Sequence, residues 1–322
     1  MGAKVLGPGD DSVWRSSPKG TANNLFFEDN AFDFAAASDL GSGCIDGWMS
    51  SSMVFRHNTT KNCLVTAHGV IHGGGVMSFE VYDNTFTRTA GSGSWTDGTR
   101  LFHHQGSGEL IMFNNQFSVS GAKSDDAIGM THYRSANCSE SGCDSRCNGS
   151  QSIDGNWSPQ STYYGYPCFE QPGRMARNAL SPMYLWNNRW ADTGAIVGMM
   201  IEDLWSGPPY PSTHIKANRD YYEAVSSSSQ SSMSSPFNGT SGMGFGTLAN
   251  RPATCTTNAL EAGGGVGYWA TDTNTLYRCS AANTWTVHYK PYTYPHPLIQ
   301  GGVTPPPADG SLSPPSNFRV LQ

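Results

Sequence analysis

The feature that most limits what this chain can become is a short repeat built around asparagine. An apolar stretch leads to a polar residue, then Asn, one variable residue and an aromatic. Clear copies are Phe26–Phe32 around Asn30, Val81–Phe86 around Asn84, Met112–Phe117 around Asn115 and Leu185–Trp190 around Asn188. Weaker copies surround Asn58 (Phe55 to Thr59) and Asn218 (Ile215 to Arg219). Successive asparagines stand 28, 26 and 31 residues apart from Asn30 to Asn115, then 73 to Asn188 and 30 to Asn218. A near-constant period of this size marks a solenoid whose repeats stack on one another. The copies alternate apolar and polar residues, and Gly and Ser fill the sequence between them, so the coils are built from strands and not helices. Each Asn is expected at a sharp corner between sheets, because Asn tolerates left-handed backbone angles. Stacked copies would hydrogen-bond into a ladder. The gap of 73 leaves room for two coils and an insertion. The expected fold is all-β: a right-handed parallel β-helix, a solenoid, with a disulfide-rich loop insertion and a small C-terminal β-meander.

The rest of the 322 residues fits that reading. Charged residues are only 14%, Gly numbers 37, and 9 Trp, 14 Tyr and 14 Phe supply ample surface to bury. The net charge of -6 comes without a Lys/Arg cluster, which excludes the basic stripe of a nucleic-acid binder. The longest apolar run, Ala195–Ile201, is too short to cross a bilayer and reads as a buried strand. No phosphate loop, dinucleotide fingerprint or nucleophile elbow is present.

Eight cysteines fit a disulfide framework. Cys44 and Cys63 pair by proximity, as do Cys255 and Cys279. Cys138, Cys143, Cys147 and Cys168 crowd one region in which three connectivities remain open. Their spacing is poor for zinc. Oxidised cysteines place the protein outside the cell, secreted. The first residues, Met1 to Asp11, lack an apolar signal core, so the export signal and the first coils are expected to lie upstream of this sequence.

These motifs resemble the pectin-lyase-like right-handed β-helix superfamily over roughly Val13 to Tyr222. More narrowly they resemble bacterial and metagenomic β-helix repeat proteins of unassigned activity. The narrower likeness rests on Phe55 to Thr59, Gly165 to Arg174, Tyr184 to Asn188, Arg219 to Tyr222 and Pro291 to Leu298. The expected organisation is a β-helix body over 1–222 with a Cys-rich excursion at 135–174. A Ser-rich linker at 223–236 leads to a β-meander insertion at 237–289, whose strands are Gly267–Thr271, Thr275–Cys279 and Thr284–His288. A Tyr/Pro-rich terminal segment and extended tail occupy 290–322. Arg219–Tyr222 and Pro291–Leu298 are expected to lie together, with the meander splitting one terminal segment.

Three constellations carry chemistry. Asp125 and Asp126 resemble the Asp-Asp pair of β-helix polygalacturonases, in which opposed carboxylates cleave a glycosidic bond. The resemblance is partial, because Ala67-His68-Gly69 precedes the pair where those enzymes carry a Gly-His-Gly after it. The alternative is a polar turn entering a strand at Ala127 to Tyr133. Second, Arg56, His57, His68, His72, Glu80, Arg88, Arg100, His103 and His104 fall on consecutive coils and are expected in rows on one face. On that face His68 would serve as a base and Arg100 would neutralise a sugar carboxylate. Arg56, His103 and His104 would bind, and acids for a Ca²⁺ cluster are sparse, so no cofactor is expected. Third, Trp95, Trp157, Tyr163, Tyr164, Tyr166 and Trp205 sit in Gly/Ser/Pro-rich loops, where aromatics either stack on sugar rings or lid the core. Two functions follow. One is a polysaccharide lyase or glycoside hydrolase, or a glycan binder; the other is a structural or adhesive subunit whose coils assemble end to end as a filament.

Overall fold

The computed structural model describes residues 3–6, 19–34, 43–48, 51–68, 76–89, 100–106, 108–121, 123, 127–131, 171–174, 180–203, 211–224, 237–258 and 262–300. The strands are short and follow one another closely: β1 (Ala3–Leu6), β2 (Leu25–Glu28), β3 (Ala31–Asp33), β4 (Gly43–Trp48), β5 (Ser51–Arg56), β6 (Thr59–Lys61), β7 (Leu64–His68), β8 (Val76–Tyr82) and β9 (Thr85–Arg88). They continue with β10 (Phe102–Gln105), β11 (Glu109–Phe113), β12 (Gln116–Val119), β13 (Ile128–Met130), β14 (Met183–Trp186), β15 (Arg189–Trp190), β16 (Met199–Ile201) and β17 (Tyr221–Glu223), with the short helix α1 (Pro211–His214) before the last.

These strands form three stacked parallel sheets. Sheet A runs β1-β4-β7-β10-β13-β16, sheet B β17-β14-β11-β8-β5-β2 and sheet C β15-β12-β9-β6-β3. The chain therefore passes from A to B to C and back to A, each pass laying one strand beside its predecessor in every sheet. Parallel pairing separates neighbouring rungs by about 4.8 Å, so equivalent residues of successive rungs stack. Phe86 and Phe117, register partners in sheet C, stack in this way within the core with ring centroids 5.0 Å apart and planes nearly parallel, and Phe55 of sheet B meets Phe86 across the interior.

The asparagine ladder is present. The Oδ1 of Asn58, Asn84, Asn115 and Asn188 each accepts both the backbone N–H and the side-chain Nδ2 of the asparagine one rung before it. The left-handed residue at the corner is, however, the one preceding each ladder asparagine: Asp29, His57, Asp83, Asn114 and Asn187 have φ between 52° and 59°. The corner therefore divides two tasks that the sequence reading gave to one residue. The first position bends the chain, and the second, which has no positive φ, satisfies backbone groups at the bend.

Two expectations about the repeat are corrected. Asn115 bonds Asn188 directly and β11 pairs with β14, so the interval of 73 residues holds one coil with its excursion and not two. Asn218 does not extend the ladder; it is itself left-handed (φ 62°) and its Oδ1 accepts the Gly242 N–H. The run Ala195–Ile201 yields only β16 and an isolated bridge at Ile196.

The outer face of sheet B is covered. β18 (Met243–Gly246) pairs in parallel with β19 (Gly267–Ala270), followed in antiparallel order by β20 (Thr275–Ala281) and β21 (Thr284–Tyr289); a last short helix, α2, spans Pro297–Gln300. The expected three-stranded meander is thus present with a fourth strand added. Its apolar side and outward residues of sheet B build a second core, in which Phe113 stacks on Trp186 at 4.4 Å and Trp186 meets Trp269 at 4.9 Å. Such a sheet is too small to stand alone. The Cys255–Cys279 disulfide and this aromatic seam hold it. Both disulfides expected by proximity form, Cys44–Cys63 and Cys255–Cys279. Cys138, Cys143, Cys147 and Cys168 lie outside the described residues.

Residues 291–298 do not join Arg219–Tyr222. Tyr221 and Tyr222 are in β17 at one edge of sheet B, whereas Tyr292 and His296 pack on Phe26 of β2 at the opposite edge. No helix among the described residues is long and apolar enough to cross a membrane.

Candidate functional site on the outer faces of sheets A and B

Alternation along β10 decides which histidine faces outward. Phe102 and His104 point into the core and His103 and Gln105 point away from it, so the adjacent histidines have opposite fates. His104 lies fully buried with Ala67 and Met130 as its rung neighbours. Burial, with the neighbouring His103, pushes its pKa down to about 3. It is a neutral core residue, and the expectation that it binds at the surface is corrected.

His103 belongs instead to a polar cluster on sheet A. Its rung neighbours are Thr66 and Gly129, and Asp46 is one rung beyond Thr66. The His103 Nε2 lies 3.4 Å from Oε2 of Glu202, and Oε1 of the same carboxylate is 2.6 Å from Nε of Arg100. These close contacts lack the alignment of hydrogen bonds. Gln105 Nε2 lies 2.8 Å from His103 Nδ1. With the amide donating there, the imidazole proton sits on Nε2 and faces Glu202. Glu202 reaches this position because residue 129 is glycine: a Cβ there would overlap Glu202 Oε1. Glu202 is fully buried and His103 nearly so, while the Arg100 side chain keeps 11% exposure. A carboxylate taken out of water needs such partners. Arg100 has no second partner for its guanidinium among the described residues, which makes it the group of the cluster best placed to reach a ligand.

Sheet B carries a different polar system, engaged entirely with other parts of the chain. Arg56, fully buried, meets Glu28 Oε2 through Nε, donates to the Tyr82 hydroxyl, and donates to the carbonyls of Tyr292 and Thr293. The rings of Phe26, Tyr82 and Tyr294 surround it at 4.9, 5.9 and 5.2 Å. Glu28 Oε1 accepts the His296 N–H, the Tyr294 hydroxyl donates to Asp29, and the Tyr294 ring stacks on His57. Arg56 thus fastens the C-terminal segment to the first rungs. Its burial corrects the expectation of a ligand-binding role. One and two rungs on, Glu80 accepts from Gly20 N, Asn24 Nδ2 and the Tyr289 hydroxyl, and Glu109 accepts from Lys19 and Ser181.

The grouping expected on one face is therefore divided. Arg56 and Glu80 lie on sheet B, Arg88 ends β9 of sheet C, and Arg100 and His103 belong to sheet A. His68 ends β7 with its backbone opposite Gln105; its side chain lies outside the described residues. Asp125, Asp126, Trp95, Tyr163 and Tyr164 also lie outside them. Glu202, around which the sheet A cluster is assembled, is the residue that sequence reasoning missed. Among the described residues no group of His, Cys, Asp and Glu is arranged to hold a metal ion. Comparison of the chain with protein-family models, curated proteins and solved structures finds no match.

Proposed function

We propose that the chain is a secreted right-handed parallel β-helix of the pectin-lyase-like kind that binds or cleaves an extracellular polysaccharide along the outer face of sheet A. The three-sheet strand cycle supports the architecture, and parallel crossovers of this sort are right-handed almost without exception. Two disulfides support an oxidising compartment. The observation that carries the functional reading is the Arg100–Glu202–His103–Gln105 cluster. Residues on or beside β10, β13 and β16 converge on one guanidinium at the outer face of a six-stranded sheet. Arg100 provides a charged, forked donor suited to a sugar carboxylate or hydroxyl pair. Glu202 orients it, and His103 and Gln105 fix Glu202 in turn. The test is a panel of neutral and uronic-acid polysaccharides, read by absorbance at about 235 nm for unsaturated ends, by reducing sugar and by affinity electrophoresis. Binding or turnover that Arg100→Ala abolishes supports this reading; a binding signal indifferent to Arg100→Ala removes sheet A from it.

One observation favours the second reading, a structural subunit that stacks end to end. Asn30, the ladder's first member, is exposed, and its Oδ1 accepts no bond among the described residues, unlike every later member. A further coil of the same design would fill it. Concentration-dependent filaments in electron micrographs, with no sugar bound, would select that reading.

A further inference from the structure

We propose that Glu80 is a proton-sensitive latch, joining three separate segments of the chain on the outer face of sheet B when protonated and loosening them when ionised. The inference is independent of the sheet A reading. Its basis is geometric. Glu80 belongs to β8, and its carboxyl is fully buried. One oxygen takes the Gly20 N–H at 2.8 Å and the Asn24 amide at 3.0 Å; the other takes the Tyr289 hydroxyl at 2.6 Å. The strap Lys19–Asn24 is thereby tied to β8, and β21 to both. The strap has little slack: a side chain at Gly20, itself left-handed at φ 67°, would overlap the Lys290 carbonyl.

The charges around this junction do not favour a second anion within it. On its own strand Glu80 has Tyr82 two residues on, whose hydroxyl already accepts from Arg56. From β5 comes Arg56, whose nitrogens are occupied by Glu28, Tyr82 and two carbonyls. From β11 comes Glu109, a like charge, which pairs with the Lys19 ammonium at 2.7 Å. From β21 come Tyr289 and His288, and burial drives the pKa of that histidine down, with Lys19 and Arg278 acting in the same direction. Ionised Glu80 would thus hold three donors but no cation of its own, away from water and beside another carboxylate. Burial, opposed by the Tyr289 and Gly20 hydrogen bonds and by the charge of Arg56 and reinforced by Glu109, raises its pKa to about 7.

The linkage has a definite sign. Opening the strap exposes Glu80 to water, where its pKa returns to the ordinary 4.5. The closed junction therefore binds the proton more tightly than the open one. Below pH 4.5 both forms are protonated and closure is strongest; as pH rises to 7 the open form gains, and above 7 the effect levels off. The ceiling is the ratio of the two acid constants, about 300-fold in the open/closed equilibrium.

Amide hydrogen exchange on the full chain, corrected for the intrinsic pH dependence of exchange, tests this. Peptides covering residues 19–25 and 286–290 are expected to lose at least tenfold in protection between pH 5 and 8, while core amides of β8 and β11 keep theirs. Glu80→Gln retains acceptor and donor capacity without titrating, and its protection should not change with pH. Glu109→Gln removes the carboxylate that pairs with Lys19, and should loosen the strap at every pH. The proposal is overturned if the wild-type strap is equally protected at pH 5 and 8, or if Glu80→Gln keeps the same pH dependence. Should Glu80→Gln fail to fold, carboxyl carbon shifts of isotopically labelled wild-type protein decide the matter: a Glu80 midpoint near 4.5 also overturns it.

Discussion

Replacing Asn84 by Ala isolates the ladder's contribution to stability. The side chain makes four bonds: it accepts from Asn58 N at 2.9 Å and Asn58 Nδ2 at 3.2 Å, and donates to Phe55 O and Asn115 Oδ1, both at 2.9 Å. At about 1 kcal/mol net for each bond, the loss is about 4 kcal/mol. Two corrections oppose one another. The Asn58 amide N–H is left buried without an acceptor, which adds to the cost. Asn58 Nδ2 keeps the carbonyls of Phe27 and Arg56, which lowers it. Asn30→Ala supplies the internal control. Asn30 donates to Glu28 O and Asn58 Oδ1, nothing described bonds its own Oδ1, and the site is exposed. Water replaces what is lost, so the cost should be about 1 kcal/mol. Urea unfolding of both variants at one pH, with m-values compared to confirm a common unfolded state, measures the difference of about 3 kcal/mol. Equal destabilisation by the two substitutions would refute the reasoning, since the two sites differ in ladder position and exposure and not in residue type.

Two further outcomes follow from the same geometry. Gly129→Ala places a methyl group on the Glu202 carboxylate and should expel it from Arg100 and His103. Breaking a buried pair this way costs about 3–5 kcal/mol, read as a lowered urea midpoint, and Glu202→Gln should be milder because the smaller insult leaves the backbone in place. His104 should make acid destabilising. Its folded pKa of about 3 lies below the ordinary 6.5, so the unfolded chain takes up a proton that the core refuses; stability falls as pH drops from 6.5 towards 3. Between pH 6.5 and 4.5 this is about 2 kcal/mol, which His104→Leu should remove from the pH profile. Glu80 and Glu223, both raised to about 7 by burial, act with the opposite sign over pH 4.5 to 7. The measurement is therefore the difference between variant and wild type, and parallel profiles would count against the assignment.

The legibility of the fold in the sequence follows from where its information is stored. A ladder asparagine and the aromatic two residues on are local signals, and repetition multiplies them, so Asn30, Asn84 and Asn115 align on spacing alone. The bend at the preceding residue is less readable, because Asp29, His57, Asp83, Asn114 and Asn187 share a backbone conformation and not a residue type. The interval from Asn115 to Asn188 misleads for a related reason: an excursion adds length without adding a rung, and length is all that spacing reports. The Arg100–Glu202 pair is out of reach of a local reading. Its members flank strands far apart in sequence, and the permissive element, Gly129, is one of 37 glycines. A carboxylate closing the apolar strand Met199–Ile201 is the one hint at hand, and it becomes informative only once Gly129 is known to stand opposite Met200.

The three outer faces also explain why histidine and arginine make poor guides when read singly. Every rung offers one outward side to each sheet, and the environment of that side is set by what the remainder of the chain places on it. On sheet C Thr59, Thr85, Gln116 and Ser118 are exposed, and the same face carries the exposed Lys61–Asp33 ion pair and Arg189 opposite Gln116. On sheet B the four-stranded unit and the C-terminal segment cover the face, so polar groups placed there must be satisfied by that covering. Arg56, Glu80 and Glu109 meet this requirement with carbonyls, hydroxyls and amides drawn from residues as distant as Thr293. On sheet A a buried carboxylate is balanced by an arginine whose terminal nitrogens are not consumed by described groups. Two arginines that look alike in sequence thus differ in the property that matters for a ligand. The donors of Arg56 are spent in holding the chain together, whereas Arg100 meets Glu202 through Nε, and its side chain keeps a small exposure. A substitution at Arg56 is therefore expected to lower stability, and one at Arg100, on the proposed function, to weaken polysaccharide binding.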